Sequence, residues 1–567
     1  MIRVPESWRS RAGAYLSRFG NRRTFSSDAR AGLVLGVESV PDGLASGLLA
    51  GLNPLYGLYG YLFGTLAGAL TTGSVFMSVQ ATGAMSVIIS DVPAAHRGEQ
   101  AGAVVAMLCL LTGAIMLVLG LARAGKLVRF IPTAVLVGFI NAVAVNIVLG
   151  QLDDFTGYTS TATNRVLRAL DTLVHVADFD WPTVLIGTLT IGLIVALERT
   201  RLGALGMVAA IVLASAVAAV LPGEGVALVS GIAEVPRSLP GLVMPDLSFI
   251  PTVLLPALSL ALVGLVQGAA ISGSIPNPDG RYADASADFR GQGVANIVTG
   301  VFQGMPVGGS MSATAISRAA GARSALANLV AGVVMVLVIL LLGGLIGYIA
   351  TAALAGLLIL VGIRTVKPHD VLMVWRTGRI QAAVLGVTFV LTLLIPLQYA
   401  VMVGVGLAVI LHVARQSNRI VVRRWVFDGE RPLPLEVDPP REIAKGDVVV
   451  LVAYGSLFFA AAPVFDAQLP RVPPDAEGAV VILRMRGKDD LGSTFIRVLQ
   501  GYATRLRDAG GVLMLAGVGE RVYTQLEATR VLPIIGSANV FREQRRVGDS
   551  LAEALAAARD LGARGTP

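Results

Sequence analysis

The chain has 567 residues, of which 54% are hydrophobic and only 14% charged, with a mean hydropathy of +0.72. A soluble chain carries about 25% charged residues, so this composition excludes an ordinary soluble enzyme and a disordered regulator. One cysteine, Cys109, excludes a disulfide framework, and four scattered histidines argue against a metal cluster. A net charge of +8 could suggest nucleic acid, but in a membrane protein basic residues first report orientation. No nucleic-acid partner is expected, and the chain reads as a polytopic α-helical membrane protein.

Residues 1–30 are arginine-rich (Arg3, Arg9, Arg11, Arg18, Arg22, Arg23, Arg30) and lack the short apolar core of a cleaved leader. They are expected to form a cytoplasmic segment. Apolar stretches then fill 31–415, and at roughly 20 residues per span this predicts about 14 crossings. The third (77–91), ninth (288–303) and tenth (308–320) are short, glycine-rich or polar; the last falls at 398–414. Alternate connections are basic, as an inside start requires: Arg123, Lys126 and Arg129; Arg199 and Arg201; Arg318 and Arg323; Arg364, Lys367, Arg376 and Arg379. The intervening loops are acidic or mixed, with Asp153, Asp154, Asp171, Asp178 and Asp180 in one of them. Both termini are therefore expected in the cytoplasm and the protein in the plasma (inner) membrane, among lipid. The basic run Arg419–Arg424 reads as a juxtamembrane lipid contact.

Residues 416–436 read as a linker. From 437 to 567 short β-type runs (448–453, 479–483, 512–516) alternate with helical patterns at 493–507 and 551–559, implying a small α/β domain.

Two segments inside the membrane part are too polar and glycine-rich for plain lipid-facing helices: Ser78-Val79-Gln80-Ala81-Thr82-Gly83-Ala84 and Pro306-Val307-Gly308-Gly309-Ser310-Met311-Ser312-Ala313-Thr314. They fall on the third and tenth crossings, seven apart. Paired interruptions in corresponding positions point to a transporter site. Each break would turn a half-helix N-terminus, with its free N–H groups and positive dipole end, toward the membrane midplane, where two such ends attract an anion. Close helix packing by small residues is the competing explanation. Glu38 and Asp42 lie one turn apart on the first crossing beside Pro41. A carboxyl at membrane depth is costly unless paired, protonated or hydrated, so both are candidates for ion coupling. Gln267 sits in the middle of the eighth crossing and must find a partner. No nucleophile–base pair, metal set or nucleotide loop is evident, so no enzyme and no cofactor is expected.

At this point the chain resembles the SulP (sulfate permease) family, also called solute-carrier family 26. Ala50-Gly51-Leu52-Asn53-Pro54-Leu55-Tyr56-Gly57-Leu58-Tyr59 is close to its AGLPPxYGLY signature; Phe130-Ile131-Pro132 with Gly138-Phe139 is similar to its fifth-helix pattern. Gln292-Gly293-Val294-Ala295-Asn296, Gly304-Met305-Pro306 and Ala320-Gly321-Ala322-Arg323-Ser324 resemble its GLAN, GGxP and AGART series. The tail resembles the attached STAS (sulfate transporter and anti-sigma-factor antagonist) domain, with Gly455-Ser456-Leu457-Phe458-Phe459-Ala460 as its LFFA strand.

The resemblance implies a seven-plus-seven inverted repeat of 14 segments, a core domain moving against a gate domain, a homodimer, and a cytoplasmic STAS domain open to a cytoplasmic partner. It also implies a small inorganic anion bound between helices 3 and 10, at Thr82 and Gly83 and at Gly309, Ser310 and Ser312; Gln80 and Met311 complete the candidate set. Helix 8 of the family usually has an acid where this chain has Gln267, helix 1 a glutamine where it has Asp42, and many members an arginine where it has Ala313. The expected coupling carboxylate is thus Asp42, with H+ or Na+ as the coupling ion. The Asp490-Leu491-Gly492-Ser493-Thr494 loop departs from the family's phosphorylated type, and Ser493 is expected to cap a helix. The expected function is secondary transport of a bicarbonate- or sulfate-class anion; a dicarboxylate carrier, an uncoupled exchanger and a sensor acting through the STAS domain are the alternatives.

Overall fold

The computed structural model describes residues 15–564 apart from 16, 21, 97–99, 127–131, 163, 222–225, 233–237, 397–398, most of 401–419, 428–432 and 456–460. The chain separates into two units, Met1–Ala408 and Val409–Pro567.

The first unit is helical apart from two short strands, β1 (Ser78–Gln80) and β2 (Gly308–Ser310). Its main helices are α1 (Phe25–Leu49), α2 (Pro54–Thr71), α3 (Gly83–Ser90), α4 (Ala101–Leu121), α5 (Thr133–Gly150), α6 (Trp181–Leu197), α7 (Leu205–Val220), α8 (Ile250–Ser274), α9 (Ala285–Val301), α10 (Met311–Ala319), α11 (Leu326–Ile346), α12 (Thr351–Thr365) and α13 (Arg379–Leu394). These match the first thirteen expected crossings; the fourteenth, 398–414, lies mostly outside the described residues. The Ala50–Tyr59 signature is a stop-and-start signal. Gly51 takes φ +67° after α1, Asn53 accepts the Leu55 N–H at 3.0 Å, and Pro54 opens α2, where a missing N–H costs nothing.

The helices sort into two bundles. In the core bundle α1 packs on α2 and α11, α9 on α2 and α4, and α8 on α4; in the gate bundle α5 packs on α12 and α13, and α6 on α7 and α12. Each bundle has its own polar ties. In the core, Asp28 accepts the N–H groups of Arg323 and Ser324 at 2.7 and 2.9 Å. Asp288 similarly accepts the Ser74 N–H and hydroxyl at 2.7 and 2.6 Å. In the gate, Arg364 grips Glu198 with both nitrogens, at 3.0 and 2.6 Å.

The second unit is a six-stranded sheet in the order β4-β3-β5-β6-β7-β8, built from β3 (Val421–Val426), β4 (Leu435–Val437), β5 (Val448–Tyr454), β6 (Val480–Arg484), β7 (Val512–Val518) and β8 (Val540–Arg542). The last four run parallel and β3 is antiparallel to both neighbours. Alternate side chains feed two cores. Val449, Leu451, Val481 and Leu515 meet Phe495, Leu499 and Tyr502 of α14 (Ser493–Asp508) and Val522 of α15 (Glu520–Ala528). Val450, Ile482, Met514 and Ala516 meet Leu551, Ala554 and Ala558 of α16 (Asp549–Arg564). Strands covered on both faces need no polar positions, which is why they read as unbroken apolar runs.

Three expectations change here. Within the expected 416–436 linker, residues 421–426 form a strand that pairs with β5, because Val421, Val422, Trp425 and Val426 give them a strand's composition. Within it Arg423 pairs with Asp438, and Arg484 stacks over Trp425 at 5.1 Å, so this part of the basic run is engaged in the sheet. Ser493 is the first residue of α14; the cap position is Gly492 and no side-chain cap bond is made. The LFFA residues 456–460 lie outside the described residues, as do Phe130 and Ile131.

Candidate functional site

The two polar segments are breaks. Ser78–Gln80 (β1) and Gly308–Ser310 (β2) pair antiparallel, Ser78 opposite Ser310 and Val79 opposite Gly309. Each strand leads into a half-helix: α3 has 8 residues and α10 has 9, about 12–14 Å of rise against a ~30 Å hydrocarbon core. Backbone outside a helix at this depth needs internal partners, and side-chain amides supply them. Asn296 bonds Val307 in both directions, at 2.7 and 2.9 Å, Gln292 accepts the Gly309 N–H at 3.0 Å, and Asn328 donates to Met77 O at 3.0 Å. Gln292 and Asn296 belong to the Gln292–Asn296 motif, which thereby acquires a physical role.

Thr82 caps α3, its hydroxyl accepting the Met85 N–H at 3.4 Å. Ser310 caps α10 through Ala313 N at 3.3 Å and lies 3.2 Å from the Ser312 hydroxyl. The two N-termini open on one cavity of about 470 Å³, between the breaks and α1 and α8 of the core on one side and α5, α12 and α13 of the gate on the other. Its walls are mostly apolar (Phe139, Ile140, Val266, Leu358), and its charged lining residues are Asp42 and Lys367. Asp42 accepts the Tyr61 hydroxyl at 2.6 Å, and Ser46 lies 3.3 Å from the same hydroxyl. Gln267 accepts the Thr82 hydroxyl at 3.0 Å, an arrangement that leaves its amide N–H groups as donors.

Of the residues expected from sequence, Thr82, Gly83, Gly309, Ser310, Met311, Ser312, Asp42 and Gln267 all line this cavity. Gln80 and Glu38 do not. The Gln80 side chain is buried and donates to Ser39 at 2.9 Å and Thr65 at 3.1 Å, because strand alternation turns it into the core bundle. Glu38 is 7% exposed, and its Oε2 has no hydrogen-bond partner among the described residues. Tyr61, Ser46 and Lys367 were missed. Lys367 carries the ordinary signature of a topology-setting basic loop, and Tyr61 that of a glycine-rich packing helix; only the packing of α2 on α1 brings Tyr61 to Asp42.

The family model described as Sulfate permease family matches residues 25–388, and that of the STAS domain matches 441–554. The chain is 28% identical over 415 residues to "Sulfate transporter 4.1, chloroplastic" of Arabidopsis thaliana, covering 70% of this chain and 60% of that one. It is 26% identical to "Putative sulfate transporter YvdB" of Bacillus subtilis (92% and 97% covered). It is 24% identical to "Bicarbonate transporter BicA" of Synechocystis sp. (92% and 93% covered). Among solved structures, the murine Solute Carrier 26 family member A9 anion transporter in the inward-facing state superposes with a TM-score of 0.86 at 20% identity, over 99% of this chain and 96% of that one. At that identity the likeness speaks for the fold. With the match spanning most of the membrane unit, and with both breaks in place, the chain belongs to the sulfate permease family.

Proposed function

We propose that the protein is a secondary active transporter of a small inorganic anion, of the bicarbonate or sulfate class, working by alternating access. The observation that carries this reading is the meeting of two capped half-helix N-termini on one cavity, where hydroxyl and amide donors and two positive dipole ends suit an anion without a buried arginine. The names of relatives, sulfate transporter and bicarbonate transporter, agree with it. Lys367 adds positive potential from the gate side. The division of the helices into two internally tied bundles, with the cavity between them, supports rigid-body rocking. Asp42 is the coupling carboxylate, taking up H+ or Na+, with Glu38 one turn away. The basic loops favour the inner membrane with both termini cytoplasmic; a homodimer and a cytoplasmic partner for the STAS domain rest on the family resemblance. The volume and apolar walls of the cavity favour one second reading, a dicarboxylate.

Radiolabelled bicarbonate, sulfate and dicarboxylate uptake into proteoliposomes, with and without sodium and pH gradients, tests this. Gradient-driven uptake should lose its ion dependence in Asp42→Asn and fall to background in Ser310→Leu. Full ion dependence in Asp42→Asn would remove Asp42 from coupling. Uptake of the dicarboxylate alone would establish the second reading.

A further inference from the structure

The cavity runs along α5 from Val135 to Ile147 and ends where the core closes on the last turn of that helix. Val135, Leu136 and Phe139, near the start of α5, line the cavity with Lys367. Near its end the core closes in: a Cβ at Gly83 would stand 2.5 Å from the Ile147 side chain, and one at Gly150 3.5 Å from Leu49. Beyond this closed end lies the C-terminus of α3, whose N-terminus faces the cavity. Its last turn is held by Arg165. One guanidinium nitrogen, Nη2, lies 2.7 Å from Asp91 Oδ1, 2.5 Å from Ser90 Oγ and 3.2 Å from Val87 O.

Arg165 belongs to the other bundle. It opens the helix Arg165–Val174, which packs on α5 and α13, and the preceding Asn164 donates to Leu394 O at the end of α13 at 3.1 Å. Among the described residues, Arg165–Asp91 is the ion pair that joins core to gate. The other ion pairs of the membrane unit, such as Arg364–Glu198 and Arg168–Asp153, stay on the gate side. The Arg165 and Asp91 side chains are 19% and 16% exposed, so water screens the pair weakly. A cation at a helix C-terminus also meets the negative dipole end, and Val87 O, which accepts the Ser90 hydroxyl at 2.8 Å, accepts from Arg165 as well, so the contact holds α3 along its axis.

We propose that Arg165 and Asp91 form a latch that keeps the site shut at the α3 C-terminal end and must part before the cavity can open there. The proposal rests on the alternating-access reading above. A latch that both states kept would tie the two bundles together and oppose their relative movement. Losing it should shift the conformational equilibrium toward opening at that end by about fivefold, the upper end for a single ion pair that water still reaches.

The test uses the full chain in proteoliposomes, with Cys109 changed to Ser and Val143→Cys placed in the cavity lining. An impermeant maleimide is applied from either face. Arg165→Gln and Asp91→Asn should each raise the labelling rate from the latch side about fivefold and lower it from the opposite side. The charge-swapped double variant Arg165→Asp/Asp91→Arg should bring both rates back toward the parent. Unchanged rates in both single variants would overturn the latch. If Arg165→Gln does not fold, Asp91→Asn, which removes a charge at nearly constant volume, decides by the same two outcomes. Shifted labelling in a protein that moves no anion would uphold the latch and defeat the transport reading.

Discussion

The two breaks meet as antiparallel partners, yet they are built differently. The first is held by side chains: Ser78 donates to Asn328 at 2.8 Å, Gln80 reaches Ser39 and Thr65, and Val79 fills the space left by Gly64 and Gly68 on α2. The second has almost no side chains to spend. Gly308 and Gly309 lie so close to α8 that a Cβ on either would stand 3.0 Å from Gly264 Cα or 2.9 Å from Gly268 Cα. Both breaks are hydrogen-bonded, but the first uses its own side chains, whereas the second receives its bonds from Gln292 and Asn296 and lies in backbone contact with α8. The first should tolerate substitution at a modest cost in stability, whereas the second should fail outright.

Gly309→Val is the strongest test, since it gives the second break the residue that Val79 supplies in the first. With backbone on the other side of the contact, nothing flexible can yield, and uptake should fall at least a hundredfold, with less monodisperse protein on size exclusion. Near-normal uptake would show that the contact with α8 is loose. Next come the caps. Ser310→Ala and Thr82→Val each remove a cap worth about 1 kcal/mol and a hydroxyl facing the cavity. Each should raise the uptake KM about tenfold, with the larger effect in Thr82→Val, because Gln267 loses its partner as well. The smallest change in transport is expected for Gln80→Leu. It strands the Ser39 and Thr65 hydroxyls and should lower thermal stability by about 1–3 kcal/mol while KM stays within twofold. A large KM change in Gln80→Leu would return Gln80 to the binding site.

Much of this architecture is legible in order along the chain. Spans, loop charge and strand–helix alternation are local and periodic, and the breaks announce themselves because glycine, serine and threonine cluster where a spanning helix would be apolar. Gln80 shows the limit. A polar residue in a break reads as a ligand-facing group, but its direction depends on strand alternation and on which helix packs behind it. The charges set a similar limit: Arg423 belongs to a basic run in the sequence and to a sheet in the fold, and Lys367 reads as a loop charge until α12 brings it to the cavity.

The sequence by itself determined that the chain is a polytopic membrane protein, that two polar interruptions recur seven apolar segments apart, and that Asp42 and Gln267 fall inside such segments, because burial in lipid penalises every polar residue that lacks a purpose. Only the tertiary structure decided which of these groups share a cavity. Tyr61 meets Asp42, Thr82 meets Gln267, and Arg165 reaches across to Asp91 through contacts between different helices. Such pairings depend on how bundles close around one another, and no local pattern of residues encodes that closure.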